Sequence, residues 1–197
     1  MLTIPASKDR AVRQEISCLN WPDKFPYKPL VSFSAWHDGG TLHLSFEVSE
    51  QSVSAEEATA GNAVFRDSCV EFFFDPEGKG EYYNLECSCT GWIYLCKGTG
   101  RCGRIPLDDT ALKSIKRRCT LPQEAFGLLG ERTQWELWLD VPASVFGLES
   151  FEGLRARGNF YKCADASPFR HYLSYAPIAT PKPDFHRPEF FETILFD

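Results

Sequence analysis

The chain contains 197 residues, of which 43 % are hydrophobic and 24 % are charged, and its net charge is −6. This length and composition are typical of a globular protein with a sizeable core, and they argue against a disordered chain. An acidic chain without a long run of Lys or Arg is poorly suited to bind a phosphate backbone, so we expect no nucleic-acid partner. No apolar stretch approaches the length that spans a bilayer, so we expect no membrane partner.

The N-terminal segment lacks the apolar stretch of a secretory signal, because Lys8, Asp9 and Arg10 follow only a few apolar residues. We therefore expect a cytoplasmic protein as the sequence is written. A secreted or cell-surface location is expected instead if a signal has been removed.

The eight cysteines are expected to be reduced thiols, since disulfides are rare in the cytoplasm. Cys87, Cys89, Cys96 and Cys102 lie close together in the sequence and raise the question of a zinc site. However, no C-x-x-C pair is present, and none of the four histidines falls at a usual ligand spacing. We therefore predict neither a metal nor any other cofactor.

The first clear elements are two strands that form a hairpin. Residues 42, 44, 46 and 48 are apolar and alternate with polar residues, which is the pattern of a strand with one solvated face. The Asp38-Gly39-Gly40 segment before them is typical of a turn. Residues 31–36 are then the predicted hairpin partner.

Further strand patterns follow along the chain. They cover residues 69–74, 82–89, 91–96, 135–141, 157–163 and 171–175. Helical patterns are few: Asp108 is predicted to cap a short helix that includes Leu112 and Ile115, and residues 142–146 are predicted to form one turn. The basic triplet at 116–118 is interpreted as a solvated helix face.

Many strands with few helices and no linker predict one all-β domain over residues 1–197. Its expected architecture is a two-sheet antiparallel β-sandwich of the jelly-roll or immunoglobulin-like kind, with one or two short helices.

Polar residues interrupt two of the predicted strands on one face. Glu71 shares a face with Cys69 and Phe73, and Asn84, Glu86 and Ser88 share a face on the next strand. If these strands pair, their polar groups line one concave surface that can exchange hydrogen bonds with sugar hydroxyls. The alternative interpretation is an ordinary solvated sheet face.

Glu71 and Glu86 also raise the question of glycoside hydrolysis, which uses two carboxyl groups roughly 5–10 Å apart. Any two carboxylates on neighbouring strands meet that spacing. No nucleophile-elbow, phosphate-loop or dinucleotide motif is present in the sequence. We therefore predict no catalytic residue.

The order of six short segments resembles the family 9-like carbohydrate-binding modules, some of which are attached to xylanases. The segments are DSCVEFF at 67–73, YYNLE at 82–86, GTGR at 98–101, NFYKC at 159–163, HYLSY at 171–175 and PDFHRPEFF at 183–191. The resemblance implies a β-sandwich that holds a terminal glucose or xylose unit between two aromatic rings. It implies a mono- or oligosaccharide partner, with a glycoside hydrolase as a candidate protein partner.

The resemblance also implies which residues contact the sugar. Glu71 takes the place of the family's acidic sugar ligand, and Phe65 and Tyr175 take the places of the two clamp rings. The remaining candidate contacts are Glu86, Ser88, Arg104, Asn159, Lys162 and His171. Ser88 stands where the family usually has Asn, and Tyr175 stands where it tends to have Trp. The structural calcium of some attached modules is not expected here, because no compact calcium loop is present.

Three alternatives to a sugar-binding module stay open from the sequence. One is a protein-interaction or accessory domain whose sugar site has degenerated, and a second is a glycoside hydrolase. The third is a haem-binding sandwich, in which His171 with His186 or Lys162 would supply the axial ligands.

Overall fold

The computed structural model describes residues 1–56 and 63–197. In this part of the chain the only α-helix is α1 (Asp109–Ser114), and 3₁₀ turns lie at Lys8–Arg10, Val64–Arg66, Ala143–Phe146 and Pro188–Phe190. The strands are β1 (Leu2–Ile4), β2 (Gln14–Glu15), β3 (Cys18–Leu19), β4 (Leu30–His37), β5 (Thr41–Glu50), β6 (Val53–Ala55), β7 (Cys69–Asp75), β8 (Tyr82–Ser88), β9 (Ile93–Gly98), β10 (Ile105–Pro106), β11 (Lys116–Cys119), β12 (Phe126–Leu129), β13 (Thr133–Pro142), β14 (Arg155–Cys163), β15 (Tyr172–Ser174) and β16 (Glu192–Phe196). No helix in the described ranges is long and apolar enough to cross a membrane.

The strands form two large sheets that pack face to face, which confirms the predicted β-sandwich. The nine-stranded sheet has the order β1-β16-β14-β7-β8-β9-β10, with β15 and β3 extending it from β14. The five-stranded sheet has the order β11-β13-β5-β4-β2, and β6 pairs with β12 separately. All pairs are antiparallel except β1 with β16.

The predicted β4–β5 hairpin is confirmed, and its turn chemistry explains why it forms. Asp38 Oδ1 accepts hydrogen bonds from the backbone N–H groups of Gly40, at 3.1 Å, and Thr41, at 2.7 Å. Gly39 has φ of +88°, a conformation that costs a residue without a Cβ very little. The turn therefore fixes the strand register that places Leu42, Leu44 and Phe46 on the core side.

Aromatic rings connect the two large sheets across the core. Phe160 of β14 stacks on Phe33 of β4 with ring centroids 3.8 Å apart, and on Phe72 of β7 at 4.5 Å. All three side chains are almost fully buried. Each such side chain contributes about 1.5–3 kcal/mol of hydrophobic stabilisation.

The nine-stranded sheet is also covered on its outer face. Phe73, Tyr82 and Tyr161 point away from the inter-sheet core and form a second apolar cluster. The C-terminal segment covers this cluster: Phe185 stacks on Tyr161 at 4.2 Å, and Phe191 contacts Tyr82 at 5.1 Å. Burial on both faces explains why every residue of β7 and β8 is buried.

The expectations for the helical segments are partly confirmed. Helix α1 begins after Asp108, whose Oδ1 accepts a hydrogen bond from Ala111 N at 2.9 Å. The basic triplet 116–118 was wrongly interpreted as a helix face, because it lies in strand β11 at the edge of the five-stranded sheet. Arg118 is held there by the Trp138 ring of β13, 3.9 Å from its guanidinium carbon.

All eight cysteines are free thiols, as expected from the sequence, and five of them are buried.

A charged cluster is buried inside the sandwich. Lys162 Nζ lies 2.9 Å from Glu50 Oε2, and both side chains are 0 % exposed. Trp135 Nε1 donates to Glu50 Oε1 at 2.8 Å, and Lys162 Nζ also donates to Cys163 O at 2.9 Å. The remaining donor of Lys162 is directed at His171 Nε2, 3.0 Å away, so that nitrogen accepts and Nδ1 donates to Phe169 O at 2.8 Å.

We expect the Lys162→Met substitution to lower the free energy of unfolding by about 3–5 kcal/mol, because it leaves the Glu50 carboxylate buried without its cation. The double variant Lys162→Met/Glu50→Gln should recover most of that loss, since Gln still accepts the Trp135 hydrogen bond. Urea unfolding of the three proteins measures this. A single variant as stable as wild type, or a double variant no more stable than the single one, would contradict the interpretation.

The buried imidazole of His171 predicts a loss of stability in acid. Burial and the neighbouring Lys162 hold the pKa of His171 well below its usual value. The unfolded chain therefore takes up a proton near pH 6.5 that the folded chain does not. Above that pH, His171 does not reduce the free energy of unfolding. As the pH falls below it, protonation of His171 in the unfolded chain lowers the free energy of unfolding by about 1.4 kcal/mol per pH unit.

We expect His171→Gln to flatten the dependence of unfolding free energy on pH between 6.5 and 4.5 by about one proton equivalent. Urea unfolding of both proteins at several pH values is the measurement. Equal slopes for the two proteins would show that His171 does not carry this effect.

Candidate functional site

A cavity of about 880 Å³ lies on the outer face of the nine-stranded sheet, over β7, β8 and β9. Its volume is in the upper part of the range of small-molecule sites. The sheet forms its floor, and rings and charged side chains from the covering segments form its walls. The floor residues are Glu71, Phe73, Asn84, Glu86 and Tyr94, and the wall residues include Phe25, Phe65, Arg101, Arg104, Asp165, Tyr172, Asp184, Phe185 and His186.

Strand register assembles the polar floor. Glu71 of β7 pairs directly with Glu86 of β8, and Glu86 pairs with Tyr94 of β9. Phe73 pairs with Asn84 in the next row on the same face. Directly opposite side chains in an antiparallel pair lie about 5 Å apart, so the two carboxyl groups are neighbours.

Glu86 has one carboxyl oxygen committed and one available. Its Oε1 accepts a hydrogen bond from Asn84 Nδ2 at 2.7 Å, whereas its Oε2 is buried and has no hydrogen-bond partner among the described residues. Burial raises the pKa of Glu86 to about 7, against the opposing effects of Asn84 and Arg104. A buried acceptor without a partner is costly, so this atom is suited to a ligand that brings a donor.

Glu71 lies beside it in an equally apolar setting. Its Oε1 accepts a hydrogen bond from Cys163 Sγ at 3.1 Å. Burial raises the pKa of Glu71 well above its ordinary value, and the neighbouring Glu86 raises it further. The pair therefore does not carry two full negative charges near neutral pH, and it can donate a proton to a ligand oxygen as well as accept one.

Arg104 positions the floor amide. Its Nε donates to Asn84 Oδ1 at 2.7 Å, and one Nη donates to Tyr82 O at 2.8 Å. Its guanidinium carbon lies 4.3 Å from the centre of the Tyr82 ring. Because Asn84 in turn donates to Glu86, Arg104 fixes the orientation of the amide and of the carboxyl group together.

Aromatic rings line the walls and the rim of the cavity. Phe65 is 39 % exposed at the rim. The half-buried Tyr172 ring meets Phe25 edge-on at 4.8 Å and Trp21 edge-on at 6.2 Å. His186 lies 4.9 Å from the Phe73 ring with its Nδ1 2.8 Å from the Tyr82 hydroxyl, and burial lowers the pKa of His186 to about 3. These contacts hold the rings in fixed orientations.

Four of the nine predicted contact residues line the cavity. They are Phe65, Glu71, Glu86 and Arg104. The other five lie elsewhere, and each has a structural role. They are Ser88, Asn159, Lys162, His171 and Tyr175.

Ser88 and Asn159 share the outer face but bind backbone outside the cavity. Ser88 Oγ lies 3.0 Å from Thr90 Oγ1 and accepts a hydrogen bond from Trp92 N at 3.2 Å, which closes the β8–β9 turn. Asn159 makes two hydrogen bonds to the backbone of Ala176, at 3.0 Å and 2.9 Å, and so anchors the segment after β15.

Lys162, His171 and Tyr175 lie on the interior side of the sheet. Lys162 and His171 belong to the buried charged cluster with Glu50. Tyr175 packs edge-on against Phe33, at 5.5 Å. Consecutive side chains of a strand alternate between faces, so Tyr172, and not Tyr175, lies against the cavity.

Several lining residues were absent from the prediction. Alternation within 91–96 could have identified Tyr94, and alternation within 171–175 could have identified Tyr172. Phe25, Asp165 and His186 come from covering segments without a regular pattern, so no local signal indicates their position.

Comparisons with known proteins agree with this architecture. A family model described as carbohydrate-binding family 9 matches residues 2–196. A crystal structure from Bacteroides uniformis ATCC 8492, of a protein assigned as carbohydrate-binding, is 38 % identical with a TM-score of 0.92, and the match covers 96 % of this chain and 88 % of that chain. No curated protein matches the chain.

Two family 9 modules from Caldicellulosiruptor kristjanssonii share the fold at low identity. The module in complex with glucose is 13 % identical with a TM-score of 0.57, over 87 % of this chain and 78 % of that one. The module in complex with cellotriose is 11 % identical with a TM-score of 0.63, over 99 % of this chain and 92 % of that one. Because the family model spans nearly the whole sequence, the chain belongs to carbohydrate-binding family 9.

Proposed function

We propose that the chain binds glucose- or xylose-type units of mono- or oligosaccharides, without hydrolysing them, in the cavity above Glu71 and Glu86. The observation that carries this proposal is the unpartnered Glu86 Oε2 on a floor of facing carboxyl groups. Family membership and the sugar complexes of the Caldicellulosiruptor modules support it.

The chemistry of the floor matches that of a sugar. A pyranose presents several hydroxyl groups, each of which donates one hydrogen bond and accepts others. Glu71 and Glu86 accept from hydroxyl groups, and in their protonated forms they also donate. Asn84 is held in place by Arg104, so the edge of the floor is rigid before the ligand arrives.

The walls complement the apolar faces of a sugar ring. Phe65 at the rim and Tyr172 both line the cavity and provide aromatic surface to it. We propose Tyr172 as the second ring, in the role that the family resemblance assigned to Tyr175. Tyr175 is committed to the inter-sheet core, and its contact with Phe33 would have to break before it could reach a ligand.

The same geometry favours binding over hydrolysis. Glycosidases place their two carboxyl groups on either side of the scissile bond. Glu71 and Glu86 project side by side from one face of one sheet, so both approach a bound sugar from the same direction. A glycoside hydrolase partner and the cellular location remain predictions from the sequence.

We expect Glu71→Gln to weaken sugar binding by about 10- to 100-fold, because the amide nitrogen cannot accept a hydrogen bond and a buried polar group left unmatched costs about 1–3 kcal/mol. Isothermal titration calorimetry with glucose, xylose, cellobiose and xylobiose measures this. Glu77→Gln is the matched control, since Glu77 is an exposed carboxylate in the β7–β8 turn. Equal affinities for wild type and Glu71→Gln would remove Glu71 from the site.

The assignment of Tyr172 is tested by replacing a tyrosine with leucine on each face of the nine-stranded sheet, Tyr172 on the cavity side and Tyr175 on the interior side. Tyr172→Leu should reduce sugar affinity by about tenfold, or about 1.4 kcal/mol, because it removes aromatic surface from the cavity wall. Tyr175→Leu should lower the melting temperature because it removes core contacts, and it should leave sugar affinity unchanged in the folded protein. Calorimetry and thermal unfolding of both variants distinguish the assignments, and the reversed result would restore Tyr175 as the clamp ring.

A further inference from the structure

Two cysteines and a glutamate converge in the floor of the cavity. Cys69 of β7 and Cys163 of β14 are directly opposite in the strand register, and Glu71 lies two residues from Cys69 on the same face. The two sulfur atoms and a Glu71 carboxylate oxygen all lie within 4.8 Å of one another. All three residues are at most 3 % exposed.

This spacing is close to that of a metal coordination sphere. Tetrahedral zinc binds sulfur at about 2.3 Å and carboxylate oxygen at about 2.0–2.2 Å, which puts neighbouring ligand atoms roughly 3.3–3.8 Å apart. The Cys163 Sγ to Glu71 Oε1 distance is 3.1 Å. Small side-chain rotations therefore suffice to place the three atoms around one ion.

The cavity provides an entry path and a free coordination position. Glu71 and Cys163 both line it, whereas Cys69 lies behind them at the strand pair. An ion that enters from the cavity meets Glu71 and Cys163 on the floor and Cys69 behind them, and it keeps its fourth position toward the open space. That arrangement is typical of zinc sites that bind water or another ligand in addition to the protein.

The donor set determines which metal fits. Two thiolates favour thiophilic ions such as zinc or cadmium over calcium and magnesium, which prefer oxygen ligands. Within residues 1–56 and 63–197 this is the one group of three potential ligands with such spacing. The other buried thiols lack this arrangement.

We propose that Cys69, Cys163 and Glu71 form a binding site for one zinc-class divalent ion in the floor of the cavity. Binding replaces the two thiol hydrogens, and the carboxyl proton where Glu71 holds one, with the metal and releases them as protons. Glu71 provides the oxygen ligand, and the cavity supplies the fourth.

One consequence rests on the function proposed above. An ion held by Glu71 and Cys163, together with its fourth ligand, occupies the space above Glu71 that the proposed sugar site uses. Metal and sugar should therefore exclude one another, and the occupancy of the metal site would control sugar binding.

Titration of the reduced full chain with Co²⁺, without sugar, tests the metal site. Tetrahedral thiolate coordination gives a charge-transfer band and intense visible bands, and we expect them to saturate at one equivalent and to disappear when Zn²⁺ is added. Cys69→Ser and Cys163→Ser should each remove these bands. Cys102→Ser is the control and should retain them, because Cys102 is exposed and lies outside the cluster.

The variant Glu71→Gln keeps the proposal testable if a cysteine variant fails to fold. It should retain thiolate coordination and weaken Co²⁺ affinity at least tenfold. The proposal is overturned if the full chain shows no tetrahedral thiolate spectrum, or if the spectrum is the same in all three variants of the cluster.

The exclusion between metal and sugar is measured separately, by calorimetry with a sugar in the presence and absence of one equivalent of Zn²⁺. We expect sugar affinity to fall at least tenfold when zinc is bound. Equal affinity would overturn the shared use of Glu71. A chain that binds no sugar at all would contradict the proposed function, and the cobalt titration would still decide the metal site.

Discussion

Burial on both faces of β7, β8 and β14 is the constraint on which the rest of the structure depends. Phe72 and Phe160 fill the space between the sheets, and Phe73 and Tyr161, their immediate neighbours, fill the space under the C-terminal segment. Because alternate residues face opposite ways, a polar residue in these strands enters one of two apolar environments. Every such residue therefore needs a partner inside the protein or from a ligand.

The two faces meet this requirement in different ways. On the interior face, Lys162 is balanced by Glu50, and their remaining hydrogen bonds go to Cys163, Trp135 and His171. On the outer face, Glu86 keeps a carboxyl oxygen without a partner in the described chain. Glu50 Oε2 and Glu86 Oε2 both lack a hydrogen-bond partner among the described residues, but Glu50 Oε2 has the Lys162 ammonium group 2.9 Å away. The interior pair therefore stabilises the fold only as a unit. Glu86 instead lines the open cavity, where a ligand can supply the donor that its free oxygen lacks.

Much of this arrangement could be predicted from residue patterns. The hairpin at Asp38, the strands around Glu71 and Glu86, and the shared face of the two carboxyl groups follow from period-two alternation and turn chemistry. Motif order identifies the segment around Tyr175 but not which side of the sheet each of its rings faces, because β15 has only three residues. The roles of Lys162 and His171 depend on Glu50, which is distant in sequence, and no local pattern indicates such a partner.

The two rings proposed to stack on the sugar are Phe65 and Tyr172, and neither is a tryptophan, which has a physical consequence for recognition. A smaller ring offers less stacking area to a pyranose, and this cavity compensates with several rings, including Phe25, Tyr94 and Phe185. Tyr172 is held by Phe25 and Trp21, so little conformational entropy is lost when a ligand contacts it. The polar floor then contributes a larger share of the binding energy, and specificity depends more on which hydroxyl groups reach Glu71 and Glu86. A site of this composition should discriminate between sugars by hydroxyl stereochemistry more strongly than by ring surface, because an unmatched hydroxyl leaves a buried carboxyl oxygen without its partner.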